Sequence, residues 1–163
     1  MARRRSLRLD AFDRKLLDLL QQDAARPLHE LGEIVGLSPS AVQRRITRYR
    51  ASRLIAKQVM VIQPEAIHGM VIACVFVTLQ QESQRLHAVF QKRMLETPEV
   101  QQCYDLAGGW DYLVILTAHG MPRCRELVDS LFLGVSNVKR YDTHFVFSVV
   151  KHGLEIPMRQ QGS

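Results

Sequence analysis

The first fifty residues carry three short amphipathic patterns with the 3.6-residue period of α-helices. In the first pattern, Asp10 is placed to cap a helix and Asp13 follows near the positive helix end. The second covers about residues 28–35, where Gly32 permits close packing and Gly36 provides a left-handed C-cap. The positions predicted to face inward are Phe12, Leu16, Leu19 and Leu20, followed by Leu31, Ile34 and Val35.

The third pattern has the clearest start signal. Ser38 is a favourable N-cap, and Pro39 falls in the first turn, where its missing N–H costs nothing. Val42, Ile46 and Tyr49 then follow at spacings of four and three, which fixes a buried face. Two helices separated by a short glycine-containing turn predict a helix-turn-helix, the element that can lie in a DNA major groove.

The opposite face of this third helix is polar and basic, and no acidic residue occurs between Pro39 and Arg53. Arg and Gln can recognise guanine and adenine edges bidentately, whereas Ser and Thr commonly contact phosphates. A solvated charged face with no partner is the alternative interpretation. The predicted DNA-contacting residues are Ser38, Ser40, Gln43, Arg44, Arg45, Thr47 and Arg48, with Arg45 toward the flank of the face.

After the third helix, residues 54–62 are apolar and β-branched, which predicts one or two short strands forming a wing-like hairpin or a linker strand. Pro64 closes this segment, and His68-Gly69 marks a domain boundary. The predicted organisation is a flexible basic arm at residues 1–8, a helix-turn-helix domain at 9–54, a wing or linker strand at 55–69, a second domain at 70–152 and a C-terminal tail at 153–163.

The periodicity changes in the second half. Apolar runs predict strands over residues 71–79, 100–107, 112–118 and 138–150, and helices over 82–96 and from Pro122 to Gly134. The order β-α-β-β-α-β predicts a ferredoxin-like domain, with four antiparallel strands and both helices on one face. The other face of the sheet is then left uncovered, and we expect the sheet of a second subunit to cover it. The helix positions expected to pack are Leu86, Val89, Phe90 and Leu95, then Leu127, Leu131 and Phe132.

Charge separates the two halves. The chain of 163 residues has a formal net charge of +6 and is 47% apolar, enough for packed cores. Residues 1–60 contain 13 Lys and Arg against 6 Asp and Glu, whereas residues 61–163 contain 9 against 10. A basic half joined to a near-neutral half indicates that one part contacts a polyanion and the other has a different role.

No catalytic or metal-binding constellation is recognisable, so we predict no enzymatic activity, no cofactor and no metal site. Three cysteines, Cys74, Cys103 and Cys124, form no CxxC pair and are predicted to be reduced, buried thiols of a cytoplasmic protein. No apolar run approaches the ~18 residues that span a bilayer, so no membrane association is expected.

Over about residues 9–152, the chain resembles the Lrp/AsnC family of bacterial and archaeal transcription regulators. The resemblance is carried by the run Gly36-Leu37-Ser38-Pro39-Ser40 and by Asp111-Tyr112-Leu113 after a glycine turn. It implies an α+β protein in which a winged helix-turn-helix is joined to an effector-sensing ferredoxin-like βαββαβ domain. It also implies homodimers paired through their sheets, often assembled into octamers, with small ligands, typically amino acids, bound between subunits.

Carried over to matching positions, the resemblance gives Gly108, Gly109, Asp111 and Thr143 as effector-binding candidates. Backbone N–H groups near the glycines could hold a carboxylate, and Asp111 could hold an ammonium group. Equally, the glycines could only shape the turn and Asp111 only cap it. The chain departs from the family in having Arg53 where glycine is usual, a bulky Trp110, and no Ser or Thr to cap the second helix at Pro27-Leu28.

These features predict a sequence-specific transcription regulator whose partners are double-stranded DNA and a small effector, an amino acid or related carboxylate, that alters DNA affinity or assembly. Three alternatives remain open at the level of sequence. Sirohaem decarboxylases share the two-domain layout, but such an enzyme would not need a basic recognition face. The others are a protein-interaction module with a vestigial DNA-binding half and a ligand-independent organiser of DNA.

Overall fold

The computed structural model describes residues 7–81, 83–135 and 137–158. Residues 1–6 of the predicted arm and 159–163 of the predicted tail therefore lie outside the described residues. The chain forms two compact units: the first contains the residues up to Val61 and the segment from Lys151 onward, and the second runs from Ile62 to Val150. The segment that follows the second unit thus belongs with the first.

The described residues of the first unit form three helices, α1 (Ala11–Gln22), α2 (Leu28–Val35) and α3 (Pro39–Ala51), at the positions that the sequence predicts. The predicted inward faces of α1 and α2 are wrong at one residue each, because Phe12 and Ile34 are exposed. The buried residues of α1 are Asp13, Leu16 and Leu17, so the polar residue Asp13 takes the inward position that was predicted for Phe12. The side chains of this core are Leu16, Leu17, Leu31, Val35, Val42, Ile46 and Tyr49.

The turn between α2 and α3 depends on two glycines. Gly36 ends α2 with φ 79°, the left-handed conformation that costs a residue with a Cβ about 1–2 kcal/mol. At Gly32 a Cβ would lie 2.5 Å from the carbonyl oxygen of Leu37, so only glycine fits against the backbone of the turn. The close approach predicted at Gly32 is therefore confirmed, and its neighbour is the turn itself. Ser38 caps α3 as predicted, accepting a hydrogen bond from Ala41 N–H.

Asp13 connects α1 to α3. Only 1% of this residue is exposed, and its Oδ1 accepts hydrogen bonds from Arg45, from Arg48 (2.6 Å) and from the Tyr49 hydroxyl (2.6 Å). Its Oδ2 accepts from Asp10 N–H at 3.0 Å, while Asp10 Oδ1 accepts from Asp13 N–H at 2.7 Å, which completes a capping box at the start of α1. One carboxylate thus starts the first helix and holds the third against it.

Burial alone would raise the pKa of Asp13. The hydrogen bonds from Tyr49, Asp10 and Arg45, together with the positive charge of Arg45, outweigh burial and lower the pKa to about 2. Burial and the same carboxylate raise the pKa of the Tyr49 phenol above its usual range, so Tyr49 remains a hydrogen-bond donor. Asp13 is therefore ionised at neutral pH even though it is buried.

The predicted wing or linker strand is not formed. Between the end of α3 and a 3₁₀ turn at Pro64–Ala66, no residue is paired in a β-ladder. The segment is apolar but largely exposed, with Met60 94% accessible. A strand needs a neighbouring strand to pair its backbone N–H and C=O groups, and no described strand pairs with this segment.

Residues 151–158 return to the first unit and contact α1. The side-chain amide of Gln21 donates to Ile156 C=O at 3.0 Å and accepts from Ile156 N–H at 2.8 Å. Met158 N–H donates to Asp18 Oδ1 at 2.9 Å, and the Met158 side chain packs against the three-helix core. The described part of the predicted tail is therefore attached to α1.

The second unit has the predicted order β-α-β-β-α-β. Its elements are β1 (Met70–Leu79), α4 (Gln84–Glu96), β2 (Val100–Asp105), β3 (Tyr112–His119), α5 (Gly120–Phe132) and β4 (Val138–Phe145). The sheet order is β2-β3-β1-β4 with every pairing antiparallel, which confirms the ferredoxin-like fold.

The last strand is shorter than predicted. β4 ends at Phe145. The last hydrogen bond between the two strands runs from Val146 N–H to Ile72 C=O, and β1 begins only two residues before Ile72, at Met70, so β1 has no further residues to pair. Apolar residues beyond this point, such as Phe147 and Val150, are fully exposed. Hydrophobicity alone therefore predicts a longer strand than the neighbouring strand can pair.

The two sheet faces differ in their cover. Ala73, Val75 and Val77 on β1, with Val114 and Leu116 on β3, are buried beneath the helices. The alternate residues of the same strands, such as Phe76 and Ile115, are half-buried on a face that neither helix covers. The buried helix residues are Phe90 and Met94 on α4, and Cys124, Leu127, Val128, Leu131 and Phe132 on α5.

Some predicted core positions are wrong in this unit. Val89 and Leu95 on α4 are exposed, and Met94 is buried in their place, because the buried stripe of α4 passes through Phe90 and the position one turn later. Among the cysteines, Cys124 is buried as predicted, whereas Cys74 is half-buried and Cys103 is exposed on β2, an edge strand.

We predict that Asp13→Asn lowers the stability of the three-helix unit by at least about 2 kcal/mol at pH 7, since a shift from 3.8 to about 2 is worth about that much. The folded-state pKa lies below the unfolded value. The contribution is therefore complete above about pH 5 and is lost as the pH falls from about 4 to about 2. Hydrogen exchange at the amides of α1 and α3 in the full-length chain measures this difference.

The matched control is Glu33→Gln, which removes an exposed carboxylate from α2. At every pH, the amides of α1 and α3 in this variant should exchange at the same rates as in the parent protein. Equal protection of α3 in Asp13→Asn and the parent at pH 7 would contradict the prediction. So would a difference that stays constant down to pH 2.

Candidate nucleic-acid interface

Most of the predicted contact residues form one exposed face of α3. Val42, Ile46 and Tyr49 are buried against α1 and α2, as predicted, which turns the other side of the helix outward. Gln43 donates a hydrogen bond to Thr47 Oγ1 at 3.3 Å along this surface. The exposed residues of the predicted set are Ser38, Ser40, Gln43, Arg44, Thr47 and Arg48.

The first turn of α3 is suited to an anion. Ser38 Oγ accepts from Ala41 N–H and lies 3.1 Å from Ser40 Oγ, so two hydroxyls stand together at the helix N-terminus. This turn contains no acidic residue, so the positive end of the helix dipole is not neutralised by a side chain of its own turn.

Arg45 differs from the rest of the predicted set. Its side chain is only 19% exposed, and it forms ion pairs with Asp13 and, at 2.9 Å, with Asp10. Its guanidinium also lies over the ring of Phe12, 5.7 Å from the centroid. Both of these ion pairs are with residues at the start of α1. Arg45 therefore holds α3 to α1 and does not belong to the exposed face of α3.

Arg48 combines features of Arg45 and of the exposed residues. Its NH2 group donates to Asp13, but 44% of its side chain remains exposed beside the polar face of α3. The sequence contains the signal that separates the arginines: Arg45 is three residues after Val42 and four before Tyr49, so it lies on their side of the helix. Arg44 lies on the opposite side and forms no ion pair with any described residue.

Two further basic residues lie at the C-terminal end of α3 and just after it. Arg50 donates to the side-chain oxygen of Gln58 at 3.4 Å. Arg53 adopts φ 57° and is the non-glycine residue with positive φ among the described positions. This is the position at which the family usually has glycine, and the left-handed conformation costs a residue that carries a Cβ about 1–2 kcal/mol.

Three of the effector candidates lie in or beside the loop between β2 and β3. Gly108 and Gly109 are exposed, and Leu106 N–H donates to Asp111 C=O at 2.8 Å to close the loop. Asp111 N–H donates to Val77 C=O at 2.9 Å. Asp111 Oδ2 accepts from Leu79 N–H at 2.6 Å, so this carboxylate caps the end of β1.

Trp110 packs onto the uncovered face of the sheet. Its ring lies 5.7 Å from that of Phe76, and the Arg140 guanidinium lies 4.1 Å above its centroid. A cation at that distance from an aromatic face is attracted to it. Trp110 is therefore fixed by neighbours on β1 and β4 and does not project freely from the loop.

Thr143 lies elsewhere. It pairs with Val75 and so faces the helix-covered side of the sheet, where it lines a cavity of about 630 Å³ between α5 and β4. Its Cα is roughly 14 Å from that of Asp111, because the two residues are separated by two strand spacings and about three residue rises. Within one chain, the structure brings together Gly108, Gly109 and Asp111 but not Thr143.

The described residues contain no cluster of three or more His, Cys, Asp or Glu side chains that could hold a metal ion. In the same part of the chain, no helix combines the length and the apolar character needed to cross a membrane.

In comparisons with known proteins, each of the two units matches a separate family domain. The AsnC-type helix-turn-helix domain matches residues 9–50, and the Lrp/AsnC ligand binding domain matches residues 72–156. A glutamate uptake regulatory protein of Zymomonas mobilis is 36% identical, covering 93% of this chain and 92% of its own. A DNA-binding transcriptional activator of Escherichia coli is 30% identical, covering 92% and 99%.

Solved structures give the same result. A transcriptional regulator of Neisseria meningitidis in complex with L-Met superposes with a TM-score of 0.84 at 26% identity, covering 93% of this chain and 97% of that one. These relatives are regulators, so the enzymatic alternative is not supported. The chain belongs to the Lrp/AsnC family and is a helix-turn-helix transcriptional regulator with a ligand-binding domain, not an enzyme.

Proposed function

We propose that this regulator binds double-stranded DNA sequence-specifically through α3, and that a small amino acid or related carboxylate alters its DNA affinity or assembly. The observation that carries the proposal is the exposed, acid-free face of α3, with Arg44 at its centre. Arg44 supplies two donors for a guanine edge, and Gln43 supplies one donor and one acceptor for an adenine edge. Ser38, Ser40 and Thr47 supply hydroxyls for phosphates.

The effector part of the proposal is supported by the match of residues 72–156 to a ligand-binding domain and by the Neisseria relative, whose structure holds L-Met. In this chain, Gly108, Gly109 and Asp111 form one candidate region and Thr143 another. A ligand changes DNA affinity only to the extent that its affinities for the protein's states differ, typically by about 1–3 kcal/mol.

A homo-oligomer, dimeric or octameric, is supported by the sheet. Half-buried apolar side chains such as Phe76, Leu113 and Ile115 lie on the face that α4 and α5 leave uncovered. A contiguous apolar patch of this kind marks an interaction site. Two-fold pairing would also present two copies of α3 to half-sites about one helical turn, or a multiple of it, apart.

We predict that Arg44→Ala weakens binding to a selected operator roughly 5- to 150-fold, the effect of losing one bidentate base contact, without lowering stability. Arg45→Ala should instead lower the melting temperature, because it removes the main ion-pair partner of buried Asp13. Operators are first selected from random-sequence DNA with the full-length protein. Affinities are then measured by fluorescence anisotropy at several salt concentrations.

The control for charge alone is Arg85→Ala, an exposed arginine on α4. It should leave both affinity and stability unchanged. If Arg44→Ala bound the operator as tightly as the parent, α3 would not be the recognition helix. If it lost affinity equally for operator and scrambled DNA, with a flatter salt dependence, Arg44 would contact phosphate and not a base.

We predict that the protein is not a stable monomer at micromolar concentration. Light scattering should therefore return a multiple of the 18.7 kDa chain mass. Ile115→Asp, which places a charge on the uncovered sheet face, should shift the protein toward monomer. The matched control, Ala88→Asp on the exposed side of α4, should not. A parent protein that scatters as a single 18.7 kDa species would contradict the prediction.

We predict that Asp111→Asn abolishes the effector response if the loop holds the effector's ammonium group. The amide keeps an acceptor for Leu79 N–H and removes only the charge. DNA binding without effector should be unchanged. The measurement is operator binding by the parent and the variant across a panel of amino acids. A variant that responds like the parent places the ligand elsewhere, and a parent that responds to nothing favours a ligand-independent organiser of DNA.

A further inference from the structure

The chain reverses direction at the end of α3 through a Schellman motif, in which one residue after the helix takes a left-handed conformation. Arg53 N–H donates to Arg50 C=O at 3.0 Å, and Leu54 N–H donates to Tyr49 C=O, also at 3.0 Å. These bonds satisfy carbonyl groups at the helix end and bring Ile55 back against the three-helix core. The motif therefore requires the positive φ of 57° that Arg53 adopts.

Arginine is a costly residue at this position. Glycine usually occupies the left-handed position of such a motif, whereas an L-residue with a Cβ lowers the folding equilibrium constant about 5- to 30-fold there. The other described positions with positive φ are all glycine, namely Gly36, Gly69, Gly120 and Gly134. Among the described residues, the chain thus departs from glycine at such a turn only at Arg53.

The stability of the helix does not account for this arginine. Its side chain is exposed and forms no ion pair with any described residue. A positive charge does suit the negative end of the α3 dipole, but Arg48 and Arg50 already lie in the last turn. A charge at an exposed helix end favours folding by only about 2- to 5-fold, which is less than the left-handed conformation costs.

The surroundings of Arg53 favour a polyanion. No Asp or Glu occurs between Glu33 and Glu65. The basic residues within that interval are Arg44, Arg45, Arg48, Arg50, Arg53 and Lys57. The segment after the turn is also held in place, because the side chain of Gln58 accepts from Arg50 at 3.4 Å and donates to Ala24 C=O at 3.3 Å. Arg53 is therefore an exposed cation on a fixed turn.

This turn lies at the end of the face that we propose to contact bases. Ala51, the last residue of α3, is seven residues after Arg44 and so roughly 10 Å further along the helix axis. The major groove is about 12 Å wide and is bordered by phosphates. In other helix-turn-helix proteins, the C-terminal end of the recognition helix contacts the DNA backbone. A cation just beyond the end of α3 is thus placed to meet a phosphate.

We propose that Arg53 binds a DNA phosphate beside the bases that α3 contacts, so that the left-handed arginine lowers the stability of the protein and raises its affinity for DNA. The inference rests on the proposed function, because it assumes that α3 lies in the major groove. A guanidinium can donate two parallel hydrogen bonds to a phosphate. A phosphate contact carries no sequence information, so Arg53 contributes equally to operator and to unrelated DNA.

The test compares Arg53→Asn and Arg53→Lys with the parent, all as full-length proteins at a temperature where each is folded. Asparagine accepts the left-handed conformation more readily than arginine and removes the charge, whereas lysine keeps both the charge and the cost. Arg53→Asn should melt at the same temperature as the parent or higher. It should nevertheless bind operator and scrambled DNA about 3- to 10-fold more weakly at moderate salt.

The salt dependence identifies the contact as a phosphate. In Arg53→Asn, the slope of log affinity against log salt should be smaller by about 0.9 for each subunit bound. Arg53→Lys should keep the slope of the parent and bind within about threefold of its affinity, since the charge remains. The matched control is Arg85→Asn, which removes an exposed charge from α4 and should alter neither the affinity nor the slope.

Equal affinity and equal slope in Arg53→Asn and the parent would overturn the inference. So would a loss confined to the operator, which would indicate a base contact, or a loss accompanied by a lower melting temperature, which would indicate that Arg53 holds the fold. Arg44→Ala distinguishes these failures from that of the proposed function. If Arg44→Ala lost operator affinity and Arg53→Asn did not, only the inference would be wrong. If neither variant lost affinity, the proposed role of α3 would be wrong as well.

Discussion

The buried carboxylate of Asp13 determines how the DNA-binding unit is assembled. It completes the cap of α1 through Asp10 and receives Arg45, Arg48 and Tyr49 from α3. These partners all lie on one side of α3, so satisfying a single ion fixes the rotation of that helix about its axis. The face that presents Gln43, Arg44 and Thr47 is outward because the opposite face is required inside. Removing a partner of a buried ion is more damaging than removing a surface pair, since the remaining charge stays desolvated.

Local signals in the sequence were sufficient for the helices but not for the roles of all their side chains. Asp10, Ser38 and Gly36 mark helix ends through interactions within one or two turns, so the predicted limits hold. The separation of Arg45 from Arg44 depends on a residue 32 positions earlier, Asp13. A charge count over α3 treats the two arginines alike. Only the spacing of Arg45 from Val42 and Tyr49 indicates that it faces the core, and the identity of its partner requires the fold.

In the ligand-binding unit, the element order was predictable because strands and helices alternate with clear glycine and proline boundaries. The length of β4 was not, because it depends on where the neighbouring strand begins. The four effector candidates fall into two places for a similar reason, with Thr143 apart from Gly108, Gly109 and Asp111. Period-two alternation groups Thr143 with Tyr141 and Phe145, but the face on which that row lies follows from its pairing with Val75. The cavity that Thr143 lines also includes Arg125 and Asp129 from α5, and no sequence signal places that helix beside β4.

The contacts of residues 151–158 with α1 make the DNA-binding unit discontinuous along the chain. During synthesis the three helices leave the ribosome first, yet Gln21 and Asp18 acquire Ile156 and Met158 as partners only after the whole ligand-binding unit has been translated. A fragment that stops at Val61 would lack these contacts and would expose the part of the helical core that Met158 covers. Completion of the DNA-binding half is thereby delayed until its regulatory half exists.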